Sequence, residues 1–320
     1  MSVPQAIDAP VVMLDGPATG VLKYHAIEYA VIDGYRPLQL DLYLPAAPTT
    51  TLRPAIVFVH GGGWSVGSRR RFGRAFRAWT PTPLELMALA GFAVVCVDYR
   101  LSAEARFPAQ LHDCKAAVRW LRAHAEELHV DGGRIVAWGE SAGGHLALLL
   151  GLTGDRRDVD DGLDGAVGEH LDQRSDVCAV VDWYGVTDLL AANSQRHPNS
   201  AADHDATDSY ESQLVGAPVQ QVPEASRRAS PMTYAHAGAP PVQIHHGDAD
   251  LVVPYRQSVE LVRTLTELEV DVEFVTLPGT DHFWIGAPDI AAIFQASLAF
   301  ANNASLGTGN SYDEADSNTT

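Results

Sequence analysis

The stretch from Ile135 to Leu150 constrains this chain more than any other. Ile135-Val136-Ala137-Trp138 is apolar, Gly139-Glu140-Ser141-Ala142-Gly143 is a turn, and Gly144-His145-Leu146-Ala147-Leu148-Leu149-Leu150 continues as an apolar helix. The pattern reads as a strand, a tight turn with Ser141 at its tip, and a helix. A turn this sharp needs small neighbours, because a Cβ at Gly139 or Gly143 would meet backbone across it. Its product is a hydroxyl clear of the sheet, beside a helix N-terminus whose dipole favours negative charge. In a chain with 27 glycines, G-x-S-x-G alone is a weak signal, and a plain turn holding a serine would also produce it. Here the strand before it and the helix after it supply the context that the motif requires.

The flanking segments repeat the strand-then-helix order. Residues 24–31 and Leu38-Gln39-Leu40-Asp41-Leu42-Tyr43-Leu44 alternate like strands, and Asp33-Gly34 between them signals a hairpin. Ala55 to Val59 and Phe92 to Val97 are continuous apolar runs, as expected of strands buried on both faces. Helices are expected from Leu84 to Ala90, from Phe107-Pro108 to about Leu128, and from Tyr255 to Leu268. Further strands are expected at Val177 to Tyr184, Val242 to His246 and Val272 to Leu277, with a closing helix from Asp289 to about Ala301. Thr153 to about Arg174 reads as a polar loop. This order predicts an α/β fold, a mostly parallel sheet with helices on both faces. The expected organisation is an N-terminal arm (1–22), one domain (23–302) and a disordered acidic tail (303–320). Residues 189–232, which show no clear core pattern, are read as an inserted lid.

Composition narrows the partners. The chain has 320 residues, 46% of them hydrophobic, and a formal net charge of -18. Such acidity argues against nucleic acid and anionic membrane surfaces. Cys96, Cys114 and Cys178 are odd in number and far apart, which predicts reduced thiols and no metal site. The N-terminal residues lack the pattern of a signal peptide, and no apolar run is long enough to span a bilayer. A cytoplasmic protein is expected, with a small molecule as partner; a homodimer is left open.

A serine hydroxyl is a poor nucleophile at neutral pH. It needs a base, an acid to orient the base, and donors for the oxyanion that forms. All should lie at the C-terminal edge of the sheet, where ligands collect. Among thirteen histidines, His282 is distinguished by following the last strand in a loop of turn residues. Asp248 and Asp250 both follow the strand ending at His246, and chain geometry does not choose between them; one of them is free to bond the loop backbone. His60-Gly61-Gly62-Gly63-Trp64 follows the first buried strand, and three glycines let backbone N–H groups face a ligand. Trp64, Phe107, Trp183, Tyr184 and Trp284 lie near strand ends and are candidates for an apolar pocket, with core packing as the competing role. Arg69 to Arg77 are read as a solvated face.

These pieces together resemble the serine esterases of the α/β-hydrolase superfamily, in the hormone-sensitive-lipase-like and related bacterial carboxylesterase branch. The resemblance rests on His60-Gly61-Gly62-Gly63-Trp64, Asp98-Tyr99-Arg100-Leu101, Gly139-Glu140-Ser141-Ala142-Gly143-Gly144-His145, His246-Gly247-x-x-Asp250-x-x-Val253-Pro254 and His282. It covers residues 24 to 300. It implies a Ser141-His282-Asp250 triad, selecting Asp250 over Asp248, and an oxyanion hole from Gly62, Gly63 and Ala142. Trp64 and Gly143-Gly144-His145 lean toward the branch that holds small-acyl esterases, feruloyl-type esterases and arylformamidases. The family often carries Gly-x-His-Gly before its histidine, whereas this chain has Gly279-Thr280-Asp281-His282. The implied activity is hydrolysis of small to medium acyl or aryl esters, with no cofactor. The alternatives are an arylformamidase or other amide-bond hydrolase, and a non-catalytic binding protein on the same fold.

Overall fold

The computed structural model describes residues 20–155 and 161–306. Eight strands form one sheet: β1 (Val21–Ala30), β2 (Leu38–Pro45), β3 (Arg53–Val59), β4 (Ala93–Val97), β5 (Val130–Glu140), β6 (Ala179–Trp183), β7 (Val242–Gly247) and β8 (Val272–Leu277). Their order across the sheet is β1-β2-β4-β3-β5-β6-β7-β8. β2 pairs antiparallel with both β1 and β4, and every later pairing is parallel. The antiparallel start followed by a parallel sheet agrees with the sequence pattern.

The period of two decides which helices cover which face. In β3, Ala55, Val57 and Val59 join a core with α2 (Ala109–Ala123), α4 (Ala142–Thr153) and α8 (Tyr255–Glu267). The intervening Ile56 and Phe58 join a second core with α1 (Pro83–Leu89) and α9 (Ile290–Leu306). The helix expected to reach Leu128 is interrupted at His124, and α3 (Ala125–Leu128) ends on His129 in the left-handed conformation. The central strand β5 begins five residues earlier than its apolar run and carries the turn of Ser141 at its C-terminal end.

The expected boundaries shift at two places. β1 takes in residues 21 and 22 of the expected arm, and α9 runs to Leu306, into the expected tail; residues 1–19 of the arm and 307–320 of the tail lie outside the described residues. Residues 189–232 form α5 (Ala192–Gln195), α6 (Tyr210–Val215), α7 (Pro223–Arg228) and connecting turns. This segment is not without core contacts: Leu189, Leu214, Val219 and Ala229 are buried in the first core. They are too widely spaced, on helices too short, to show a period. Among the described residues no helix is long and apolar enough to cross a membrane. All three cysteines are free, and Cys96 and Cys114 are buried.

Candidate active site

Ser141 sits between β5 and α4 with φ 54° and ψ -121°, a conformation that costs on the order of 1–3 kcal/mol and persists only where the surroundings impose it. They do. A Cβ on Gly139 would lie 2.1 Å from the Gly143 carbonyl oxygen, across the turn as expected. A Cβ on Gly143 would lie 2.0 Å from the carbonyl oxygen of Val59 on β3, so here the neighbouring strand sets the limit. Ser141 N–H donates to the Trp183 carbonyl at 2.8 Å, tying the turn to β6.

His282 follows β8, and its Nε2 lies 3.1 Å from Ser141 Oγ. Its Nδ1 lies 2.7 Å from Asp250 Oδ2. All three side chains are buried. Asp250 Oδ1 accepts the N–H groups of Val252 (2.7 Å) and Val253 (2.8 Å). Burial alone would raise the Asp250 pKa. The charge of His282 and hydrogen bonds from His246 and His282 outweigh it and hold the carboxyl well below the usual range. A carboxylate at Nδ1 fixes the imidazole proton there, leaving a lone pair at Nε2 facing the serine.

Asp248 has the other role that the sequence left open. Its Oδ1 accepts Gly279 N–H at 2.6 Å and so braces the loop that carries His282. Asp281 accepts both His282 N–H (2.7 Å) and Leu251 N–H (2.8 Å). His246 escaped the sequence reading as an individual residue. Its Nε2 is 3.2 Å from Asp250 Oδ2 and 3.1 Å from the Val253 carbonyl, and its Nδ1 is 2.7 Å from Ser258 Oγ. Its place directly before the Gly-x-x-Asp turn was the available signal.

The loop from Gly61 to Trp64 faces Ser141 from β3. Gly62 and Gly63 have φ of 119° and 59°, and both line a cavity of about 590 Å³ together with Ser141, Ala142 and His282. Trp64 Nε1 donates to His145 Nδ1 at 3.2 Å, and His145 Nε2 lies 2.6 Å from the Ala229 carbonyl. That pairing puts the His145 proton on Nε2. Burial drives its pKa down to about 4, so the ring is neutral. Tyr99 of the Asp98-Tyr99-Arg100 segment stacks on His60 with centroids 4.3 Å apart and donates to the His60 carbonyl at 3.0 Å. The segment that follows β4 therefore anchors the glycine loop from behind, a role not evident from sequence.

Of the aromatic residues expected around a pocket, Trp64 lines the cavity. Trp183 instead lies in the second core, stacked on Phe76 at 5.5 Å, with its Nε1 on Ser297 of α9. Trp284 packs edge-on against Trp183 and Tyr184. Tyr184 lies against the His282 ring at 4.5 Å and donates to Glu140 Oε2 at 3.1 Å. Residue parity explains the error for Trp183: on a strand buried on both faces, apolarity does not say which face a side chain takes. Phe107 packs against the first core, 6.5 Å from the His145 ring. The cavity wall comes largely from residues 202–211 and 251–253 with Phe283. Arg69 is no part of a solvated face; it is buried in ion pairs with Asp41 and Asp98. Arg74 lies over the Phe283 ring at 5.4 Å.

The arrangement has parallels among known proteins. Residues 40–265 match the BD-FAE family. Esterase LipC of Mycobacterium tuberculosis is 31% identical over 285 residues, which are 87% of this chain and 65% of LipC. The chain thus spans less than two thirds of that relative. Bovine arylacetamide deacetylase is 33% identical over 36% of this chain and 28% of its own length. A truncated carbohydrate esterase from gut microbiota superimposes with TM-score 0.74 at 30% identity, covering 89% of this chain and 96% of that one. A propionate-bound thermophilic esterase from Thermogutta terrifontis gives TM-score 0.66 at 27% identity, covering 89% and 94%. With the match running through most of the sheet and the Ser141 turn, the chain belongs to the BD-FAE family and has the α/β-hydrolase fold.

Proposed function

We propose that the protein hydrolyses carboxylic esters of small to medium acyl or aryl groups through an acyl-enzyme on Ser141. The observation that carries this reading is the continuous line from Ser141 Oγ through His282 to Asp250, with spacings of 3.1 and 2.7 Å. Ser141 Oγ attacks the ester carbonyl carbon while its proton passes to His282 Nε2. Asp250 holds the ring and stabilises the imidazolium. The tetrahedral oxyanion is received by the N–H groups of Gly62, Gly63 and Ala142. Collapse breaks the bond to the alcohol oxygen, which takes the proton from Nε2. Water, deprotonated by the same nitrogen, then attacks the acyl carbon and releases the carboxylic acid and free Ser141.

The names of the similar proteins support an ester substrate, and the propionate in the Thermogutta protein favours a short acyl group. Three free cysteines support a reducing, cytoplasmic setting. Ser141→Ala is expected to lower turnover of 4-nitrophenyl acetate by on the order of 10⁶ with the melting temperature unchanged; full activity in that variant would overturn the serine assignment. The likeness to arylacetamide deacetylase favours amide cleavage as the second reading. A series of 4-nitrophenyl esters of rising acyl length, run beside N-formylkynurenine, separates the two: faster turnover of the formamide would displace the ester reading.

A further inference from the structure

Trp64, Tyr184, Phe283 and Trp284 all have positive φ. Bulky side chains rarely adopt this backbone, because the Cβ crowds the following carbonyl oxygen. Packing offsets the strain for three of them: Trp64, Tyr184 and Trp284 are at most 2% exposed and belong to the two cores. Phe283, with φ 60° and ψ 23°, is half-buried and joins neither core. A glycine there would be free of the strain. What the phenylalanine adds is its ring.

That ring stands beside the reacting groups. It lines the cavity that holds Ser141, and its centroid lies 4.4 Å from that of the His282 ring, edge-on. The exposed Arg74 guanidinium sits over it. Asp281 N–H donates to the Ile285 carbonyl at 2.8 Å, which closes the loop around residues 282–284. Asp281 Oδ1 accepts Leu251 N–H, which fastens the loop to residues 251–253. Leu251 and Val252, 36% and 40% exposed, line the same cavity. The wall on the His282 side is therefore apolar and open to a ligand.

Backbone strain kept at such a place points to function. In the proposed reaction the proton on His282 Nε2 passes to the leaving alcohol oxygen. The substituent on that oxygen then has to lie along the His282 side, away from the loop of Gly62 and Gly63. We propose that Phe283 determines specificity for the alcohol part of the ester, and that this part carries an aromatic ring packed on Phe283, Leu251 and Val252. The inference rests on the ester reading and narrows it: the substrate's ring belongs on the alcohol rather than on the acyl group.

The test follows proton release from two pairs of neutral esters. Benzyl acetate against ethyl acetate places a ring on the alcohol, and ethyl phenylacetate against ethyl acetate places it on the acyl group. In the intact protein kcat/KM is expected to favour benzyl acetate by about tenfold, the contribution of one aromatic pair with its buried area. Phe283→Gly, which removes the ring and relieves the backbone, should bring that ratio to about one without moving the ratio of the second pair. Phe283→Tyr keeps the ring and should keep the preference; Phe283→Leu, apolar without a ring, should fall between. A benzyl preference that survives in Phe283→Gly and Phe283→Leu overturns the proposal, as does a second pair that shifts as far as the first. A protein that cleaves 4-nitrophenyl acetate without preferring benzyl to ethyl acetate overturns this inference alone. If it cleaves none of these esters, 4-nitrophenyl acetate included, the ester reading itself fails and this inference with it.

Discussion

On one side of Ser141 stand His282 and Asp250, and on the other the loop from Gly61 to Trp64. The first side is held by charge. Asp250 collects two backbone N–H groups on Oδ1 and two imidazoles around Oδ2. The second side is held by shape and by neutral bonds. Glycines fit where a Cβ would collide, and Trp64 hangs on a neutral His145 that is bonded in turn to the Ala229 carbonyl. The difference follows from the work proposed for each. A base must gain and lose a proton, so its orienting partner has to be a charge. An oxyanion site must wait, already ordered, with N–H groups that do not titrate.

The sharpest way to break this comparison is Asp250→Asn. The shape is kept and the charge removed. The Asn oxygen will take the Oδ1 position, where two backbone N–H groups point. Its amide then faces His282 Nδ1 and forces the proton onto Nε2, the wrong nitrogen for accepting one from Ser141. A loss of roughly 10⁴ in kcat is expected, checked with 4-nitrophenyl acetate beside a circular dichroism melt. A loss below tenfold would mean that the charge on this side does nothing.

The second side should answer to volume. A Cβ at Gly62 would lie 2.0 Å from the Val66 carbonyl oxygen, with φ at 119°. Backbone cannot swing aside, so Gly62→Ala should displace the loop and cost on the order of 10²–10³ in kcat. Gly63 is a control within the same loop. There the added Cβ would meet the Tyr210 ring at 2.6 Å, and Tyr210 is half exposed and able to move. Gly63→Ala should lose about tenfold or less, with φ of 59° contributing about 1–2 kcal/mol of strain. Equal losses in both variants would show that positive φ, rather than collision, governs the loop.

The two sides were also unequally legible in the sequence. Glycines next to a buried strand announce close approach, and the turn of Ser141 was clear because strand, turn and helix each carry their own pattern. The choice between Asp248 and Asp250 was closed to residue-level reasoning, since both follow β7 and both proved to bind the same loop region, one by its backbone and one through His282. Long-range partners were invisible. Nothing local says that Tyr99 supports His60, or that His145 joins Trp64 to a carbonyl 84 residues away. Nor could residues 202–211 be recognised as cavity wall, because short helices and turns have no period to read.

His145 tests whether the neutral side is as indifferent to pH as the comparison requires. His145→Phe leaves Trp64 Nε1 and the Ala229 carbonyl without partners, which costs roughly 2–5 kcal/mol of stability. Turnover at 25 °C should fall only a few-fold, since the N–H groups of the loop remain. In the intact protein the ring's folded pKa of about 4 lies below its ordinary value of 6.5. The unfolded chain then takes up a proton first as pH falls, and stability is lost between about pH 6.5 and 4. The Phe variant should lose this part of the acid sensitivity of the melting temperature. An unchanged slope would mean that His145 is not the group responsible.

Glu140 joins the two sides and gives the smallest expected effect on turnover. Its carboxylate accepts Gly61 N–H, at the foot of the glycine loop, and the Tyr184 hydroxyl, whose ring lies on His282. Burial pushes its pKa up to about 7, against the pull of the Tyr184 bond and the His282 charge. The folded value is above the ordinary 4.5, so between about pH 4.5 and 7 the fold keeps a proton that the unfolded chain has lost. Stability therefore declines as pH rises through that window, by roughly 3 kcal/mol at most. Glu140→Gln keeps the shape and cannot ionise. It should melt several degrees higher than the parent at pH 8 and alike at pH 4.5. Its kcat should be about threefold lower at pH 8, where the parent's carboxylate faces the imidazolium of His282, and should approach the parent's below pH 6. A kcat ratio that does not move with pH would show that the buried charge never reaches His282, leaving the relay and the oxyanion loop electrostatically separate.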